Sequence, residues 1–441
     1  MEGTGQADNM RVLFVFADVH SEYGVPKHPC LAFAILSGVL KKCGHEVEVF
    51  DQRLGDEGLQ GLIDEFRPDF VGFHVTILNY KNTLKLRESV KISCKTIVGG
   101  PHASVCPDDF KAFDFVVVGE GENALLEIVE GKNTEHVVSR PVSDINVLPD
   151  WSCYPDYKYT RLPLFITRGC PYSCIFCNVN KIFGRSYRKR ELANVLDEVK
   201  AGIEMGIKYF DVVDDCFTLD KNYVKEFCKL VKPLGITWEC TQGARIDTLD
   251  EEAFFAMKDA GCILIAVGIE SGNQKIVDNI KKGLNLEVAK KNIAFAKKAG
   301  LRVKAFFLVG SPGETYEDVL LSIKFFKENK IDLPRFGVLA PYPHTELWEW
   351  AQANAVMLVQ GTDNYTHGAE GKERVIPYET SIFKKEEVLK AINLATKEAD
   401  TWAMRMRLGP VIGFVMRIDW LRNLMKKIYF NSNFIKGVMW K

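Results

Sequence analysis

The stretch "LPLFITRGCPYSCIFCNV", Leu162–Val179, decides how the rest of the chain is read. "LPLFIT" is a short apolar run of the kind that forms a buried strand. Directly behind it, Cys170, Cys174 and Cys177 fall within eight residues. Thiols that close together serve a disulfide knot, a zinc site, a thiol redox pair or an iron–sulfur cluster. The other nine cysteines (Cys30, Cys43, Cys94, Cys106, Cys153, Cys216, Cys228, Cys240 and Cys262) are scattered singly over 441 residues. Disulfide scaffolds belong to short secreted chains, and the opening "MEGTGQADNM" lacks the charged start and apolar run of a signal peptide. A reduced, cytoplasmic protein is therefore expected, its lone cysteines acting mostly as small core residues. Structural zinc asks for four ligands, usually as two separated pairs, and no second pair is present. A redox pair would use Cys174 and Cys177 and leave Cys170 without a role. A cubane cluster has four irons and normally four thiolates. Three close thiolates leave one iron open to a chelating substrate.

Composition sets the frame around this motif. The chain is 47% hydrophobic and 26% charged with a formal net charge of −1, which gives no sign of a nucleic-acid-binding surface. No run of eighteen uncharged apolar residues suggests a membrane span. From Met10, "RVLFVFA", "EVEVFD", "FVGFHV", "TIVGGP" and "FVVVGEG" read as strands separated by helix-length segments. Such alternation implies parallel βαβ units, so residues 10–135 are expected to form a Rossmann-like doubly wound α/β domain. Its glycine and acid signals at strand ends are Asp51, Gly99, Gly100, Gly119, Glu120 and Gly121, and Thr76 behind the third strand is a further candidate cofactor contact. Ligands bind at the carboxyl ends of such strands.

Residues 136–160 read as a linker. A second alternating series over 161–355 offers "LPLFIT", "YFDVVD", "ITWECT", "ILIAVG", "VKAFFLVG" and "RFGVLAP" as strands, each followed by an amphipathic stretch. Six such units predict a partial (β/α)6 barrel of the TIM type. Residues 356–441 are expected to be mainly helical. Phe414, Ile418, Leu421, Met425 and Ile428 share one helical face. From Pro410 onward there are six Lys or Arg against one Asp, so the tail could dock on the barrel or lie on an anionic membrane surface.

Cys-x-x-x-Cys-x-aromatic-Cys, with Phe176 as the aromatic residue, behind the first strand of a β/α series resembles the radical S-adenosylmethionine enzymes. The resemblance implies a 4Fe–4S cluster on Cys170, Cys174 and Cys177, whose open iron binds S-adenosylmethionine and cleaves it to a 5′-deoxyadenosyl radical. It further implies cofactor contacts from Asp215 in "DVVDDCFTLD", Arg245 in "GARID", Glu270 and Ser271 in "VGIESGN", and Gly310 and Pro312 in "LVGSPGET". The segment "APYPHTELWEW" departs from the family's Pro-Gly-Thr by placing His344 where glycine is common. A Rossmann-like domain immediately before such a barrel is similar to the cobalamin-binding subgroup. That likeness, over residues 10 to about 350, implies cobalamin near the strand ends above. "FADVHSEYG" resembles the segment that supplies a cobalt-ligating histidine elsewhere, which would be His20, although Gly24 comes one residue late. His28, His74 and His102 are further histidines to be weighed in the same domain.

By this resemblance the reaction is methylation of an unactivated carbon or a phosphinate phosphorus. One S-adenosylmethionine would methylate cobalt and another would generate the radical. Oxidative cyclisation or carbon–carbon coupling on a hydrophobic, lipid or tetrapyrrole-like substrate is the alternative. RNA methylthiotransfer fits less well, for want of further amino-terminal cluster cysteines and a basic RNA-binding domain. The expected partners are a small-molecule or lipid substrate and a reductant such as flavodoxin or ferredoxin, under anaerobic conditions and without nucleic acid.

Overall fold

The computed structural model describes residues 9–18, 28–54, 58–91, 93–154, 159–359 and 374–408. The first sheet contains β1 (Arg11–Phe16), β2 (Glu46–Asp51), β3 (Phe70–His74), β4 (Lys95–Gly99), β5 (Phe115–Val117) and β6 (Val137–Val138). All pairings are parallel, in the order β2-β1-β3-β4-β5-β6. The apolar run of β1 explains its central place. Val12, Phe14 and Phe16 pack into one core with Phe33, Ala34 and Leu125, while Leu13 and Val15 pack into another with Leu59 and Ile63. The helices behind these residues are α1 (Leu31–Lys42), α2 (Leu59–Phe66), α3 (Tyr80–Ser89), α4 (Pro101–Val105) and α5 (Glu122–Val129). A strand buried on both faces reads as continuous hydrophobicity, as β1 does. The sheet is doubly wound, and its order reverses between β1 and β3. That is the flavodoxin-type arrangement, with its switch point at that pair. Part of the expected linker joins this sheet: Val137–Val138 pairs with β5.

The second sheet is also parallel and six-stranded. It begins with β7 (Leu162–Leu164), after which β8 (Thr167–Arg168) and β9 (Arg188–Lys189) form a small antiparallel ribbon. The remaining strands are β10 (Tyr209–Val212), β11 (Thr237–Ala244), β12 (Cys262–Glu270), β13 (Arg302–Val309) and β14 (Leu333–Val338), in the order β14-β13-β12-β11-β10-β7. Between them run α6 (Val179–Phe183), α7 (Leu192–Glu204), α8 (Lys221–Val231), α9 (Glu251–Asp259), α10 (Gln274–Asn279), α11 (Leu286–Lys298) and α12 (Tyr316–Glu328). The partial barrel expected from the alternation is therefore present. Beyond it lie α13 (Glu346–Asn354), a hairpin of β15 (Val356–Met357) and β16 (Tyr378–Glu379), and α14 (Lys385–Leu408). Helix α14 covers the edge at β14, which would otherwise offer an open template for pairing. There Trp402 Nε1 donates to the Ile331 carbonyl at 2.7 Å and its ring packs edge-on against Phe326. No helix among the described residues is long and apolar enough to cross a membrane. His20, Gly24 and the basic tail from Pro410 lie outside the described residues.

One core runs through both sheets, linked by Trp151, Cys153, Tyr154 and Tyr159. An ion-pair cluster ties the two sheets where β8 ends. Arg168 Nη1 meets Glu120 and Glu122, the latter at 2.7 Å, and Arg188 meets Glu120 at 2.9 Å. Arg168, Glu120 and Glu122 are each about nine-tenths buried. Removing one member of a buried charge cluster strands the others in low dielectric. Arg168→Met should therefore cost about 3 kcal/mol of folding stability, measured by urea denaturation. A loss below about 1 kcal/mol, the range of exposed pairs, would show the cluster to be effectively solvated.

Candidate active site

The loop between β8 and α6 carries Cys170, Cys174 and Cys177, all free and half-buried. Its backbone is held from four sides. Asp215 accepts the Gly169 N–H at 2.9 Å. The neighbouring Asp214 accepts the N–H groups of Ile166 (2.7 Å) and Thr167 (2.6 Å) together with the Thr167 hydroxyl. Further along, the Ile175 N–H donates to the Ile280 carbonyl and the Leu347 N–H to the Ile175 carbonyl. Gly169 has φ 86°, and a Cβ there would stand 2.1 Å from the Ser186 carbonyl oxygen, so the turn into the loop requires glycine. Phe176 packs beside Ile175, Ile280, Leu339 and Leu347 and anchors the loop's apolar side.

The thiols are not equivalent. A hydrogen bond from Cys216 is the largest influence on Cys170 and helps bring its pKa down to about 6. Burial pushes Cys177 up to about 11 and also raises Cys174, against which the charges of Lys282 and Arg245 act. Three convergent thiols with nearby cations suit an anionic iron–sulfur centre, so the donor set fits a cluster with one iron not held by cysteine. Cys216 and Lys282 were not singled out from the sequence. The first reads as one more lone cysteine and the second as one half of a Lys-Lys pair, and only folding brings them to the loop.

The other expected contacts gather at the ends of β11, β12 and β13 in different states. Glu270, at φ 67°, receives Lys282 Nζ at 2.7 Å. A Cβ on Gly268 would lie 2.1 Å from the Glu270 carboxylate, so glycine makes room for this pair. Arg245 is largely committed: it forks onto Asp247 (3.1 and 2.7 Å), donates to the carbonyls of Lys282 and Gly283, and stacks over Tyr172. Ser271 is buried and faces Ser322 of α12 at 3.5 Å. Gly310, at φ 98°, has open space where a side chain would be, and the Pro312 carbonyl accepts Asn279 Nδ2 at 2.8 Å. In the same turn Glu314 accepts the N–H groups of Gly310 (2.6 Å) and Ser311 (3.0 Å). Its second oxygen and the Ser311 hydroxyl have no partner among the described residues. Orphaned buried polar atoms beside an open glycine fit a polar cofactor such as S-adenosylmethionine.

In the first domain the expected residues line the carboxyl edge of the sheet. Thr76 donates its N–H and hydroxyl to Asn79 Oδ1. The Gly99 carbonyl accepts the Val75 N–H at 2.8 Å, and Gly100 has φ 108° with no room for a Cβ beside the Val75 carbonyl. Gly121 lets α5 approach Leu36 of α1. Gly119, at φ 84°, brings this edge against Ile182 of α6, its absent Cβ being 3.2 Å from the Ile182 carbonyl oxygen. Glu120 belongs to the ion-pair cluster with Arg168 and Arg188. His28 is half-buried with Nδ1 3.2 Å from the Pro29 carbonyl, and His102 is fully buried, 3.2 Å from Asp109. The glycine-lined edge fits a large flat cofactor, and α6, which follows the cysteine loop, packs against that edge at Gly119.

His344 follows β14 at φ 62°, an exposed residue in the left-handed region. That conformation explains why glycine suits the position. His344→Gly should raise stability by about 0.5–1 kcal/mol, read as a higher midpoint in thermal unfolding. A lower midpoint would show that the imidazole makes a stabilising contact. Glu314 gives a pH signature. Burial raises its pKa to about 8, although its two N–H donors act the other way. The folded value exceeds the unfolded value of about 4.3, so its contribution is complete below about 4.3 and is lost as pH rises through about 8. Glu314→Gln should flatten the fall in stability between about pH 5 and 8. An unchanged slope would mean that the carboxyl is ionised in the folded protein.

Comparison with known proteins matches residues 164–326 to the radical SAM superfamily and residues 24–129 to the B12 binding domain. The uncharacterized methyltransferase PH0819 of Pyrococcus horikoshii is 30% identical over 375 residues, covering 77% of this chain and 82% of that protein. The cytidylyl-2-hydroxyethylphosphonate methyltransferase of Streptomyces wedmorensis is 26% identical, covering 72% and 76%. Among solved structures, the radical S-adenosylmethionine methyltransferase TsrM of Kitasatospora setae, with cobalamin and a 4Fe–4S cluster bound, superposes with a TM-score of 0.70 at 17% identity. It covers 96% of this chain and all of that one.

Proposed function

The chain belongs to the cobalamin-binding radical S-adenosylmethionine enzymes, and from that premise we propose that it methylates an unactivated carbon, or a phosphinate phosphorus, of an apolar small molecule. Its cofactors are a 4Fe–4S cluster, S-adenosylmethionine and cobalamin. When bound, these supply a hydrogen-abstracting carbon radical and a transferable methyl group, the reactivity that no side chain offers toward an unactivated C–H bond. The protein's task is to hold, orient and shield.

Cys170, Cys174 and Cys177 would hold three irons, and Asp214, Asp215, Ile280 and Leu347 fix the loop that presents them. Lys282, held by Glu270, offers an ammonium beside the thiols for the carboxylate of S-adenosylmethionine, a role to which Arg245 brings few free donors. Gly310 and the unpartnered oxygens of Ser311 and Glu314 would receive polar atoms of the same cofactor. The glycines of the first sheet would seat cobalamin. Ile175, Phe176, Leu339 and Trp350 make the surroundings of the loop apolar, which suits a greasy substrate and keeps water from a radical. A low-potential donor of the flavodoxin or ferredoxin type in a reducing cytoplasm suits this chemistry, and contact of the basic tail with an anionic membrane would suit a lipid substrate.

The observation that carries the reading is the contact at Gly119 and Ile182, which sets the helix that follows the three-thiol loop against the glycine-lined edge of the other domain. The test is anaerobic reconstitution with iron, sulfide and cobalamin, followed by S-adenosylmethionine and reductant. The native chain should bind iron and release 5′-deoxyadenosine, whereas the combined Cys170→Ala, Cys174→Ala and Cys177→Ala variant should do neither. Retention of both by that variant would refute the assignment.

A further inference from the structure

We propose that His102, Cys106 and Asp109 form a zinc site in the first domain, separate from the cysteine loop and not required by the reaction above. The three donors arise within eight residues of chain. His102 lies in α4, and Cys106 caps that helix one turn on, its N–H donating to the His102 carbonyl at 2.8 Å. Residues four apart on a helical turn present their side chains on one face. A 3-10 turn, Pro107–Phe110, then brings Asp109 back toward them, with its N–H directed at the Cys106 carbonyl at 3.2 Å. One nitrogen, one sulfur and one carboxylate oxygen thus lie within 4.8 Å of one another.

His102 is what singles this group out. Its side chain is fully buried, and neither ring nitrogen has a hydrogen-bond partner among the described residues. Nε2 faces Asp109 Oδ2 at 3.2 Å, yet the approach makes no hydrogen bond. An unsatisfied buried polar group is costly, and an ion that takes the imidazole lone pair removes that cost. The separation suits an ion, since two ligands at about 2.0 Å from a tetrahedral zinc stand about 3.3 Å apart. The rings of Tyr80 of α3 and Phe110, at 4.7 and 5.6 Å, wall off the imidazole. The Asp109 side chain is 36% exposed and gives the ion and water a way in. Nitrogen, thiolate and carboxylate together favour zinc over calcium or magnesium, which take oxygen ligands. Cys106 gives up its proton to solvent on binding, so two anionic ligands offset the charge of the ion. The site would pin α4, whose Ser104 hydroxyl accepts the Gly119 N–H at 3.0 Å on the carboxyl edge of the sheet.

The experiment uses the full-length protein, reconstituted with iron, sulfide and cobalamin, then incubated with zinc chloride and desalted. Zinc per chain is measured by elemental analysis. Its ligands are read by X-ray absorption at the zinc K edge, to which iron and cobalt do not contribute. We expect one zinc per chain, with one sulfur at about 2.3 Å and nitrogen and oxygen at about 2.0–2.1 Å. Cys106→Ser should remove the sulfur contribution and weaken zinc binding at least about tenfold, the loss that even an outer partner of a metal site causes. In case the serine variant folds poorly, Asp109→Asn alters an exposed side chain and should weaken binding by a similar factor. Iron and cobalamin content report that each variant is folded. No zinc retained by the native protein, or zinc bound equally well by both variants, overturns the inference. So does a spectrum with three sulfurs, which would place the ion on Cys170, Cys174 and Cys177. Each of these results leaves the proposed radical chemistry standing.

Discussion

The structure depends on one constraint: three thiols must converge from a loop too short to satisfy its own backbone. Unpaired buried N–H groups are costly, so the partners have to come from elsewhere in the fold. Asp214 and Asp215, one strand away, take the donors at the loop's entrance. Ile280 and Leu347, from later units of the barrel, pair with its middle. The loop's shape is therefore a property of the assembled barrel. That explains why the residues after β10, β12 and β14 are as much part of the cysteine site as the cysteines themselves.

The same logic ties the domains together. Arg168 leaves the cysteine loop's own ribbon and lies among Glu120 and Glu122 at the end of β5, while Gly119 admits α6 to that edge. Glu120 stands among the glycines that line the expected cobalamin seat, yet its carboxylate is directed at two arginines of the barrel. A residue that pairs across the two domains in this way holds their facing edges in register. The close approach of the surfaces is what a methyl group and a radical formed on different cofactors require in order to meet at one substrate.

Much of this was legible in the sequence because it is local. The apolar runs of β1 and β3 and the alternation of the second series follow from period and length. The cysteine spacing and the glycines at strand ends mark the chemistry. Strand order is set by packing and not by local pattern, so the reversal between β1 and β3 emerged only in the fold. Arg245 shows the limit of motif reading: its position is as expected, but Asp247, two residues on, and the Lys282 and Gly283 carbonyls occupy most of its donors. Lys282 and Cys216 reach the site from segments 112 and 46 residues beyond Cys170, separations that no local pattern records. His344 stands where the family commonly has glycine, and its φ of 62° shows why glycine suits the position.

The central claim is that Cys170, Cys174 and Cys177 hold a four-iron cluster with one iron left for S-adenosylmethionine, beside a cobalamin domain. Mössbauer spectroscopy of the iron-57-reconstituted protein, recorded before and after adding S-adenosylmethionine, addresses it most directly. The account predicts that one iron of the cluster changes its signal on addition while the other three stay as they were. A spectrum in which all the irons are unaffected, or in which no four-iron cluster forms, would contradict it.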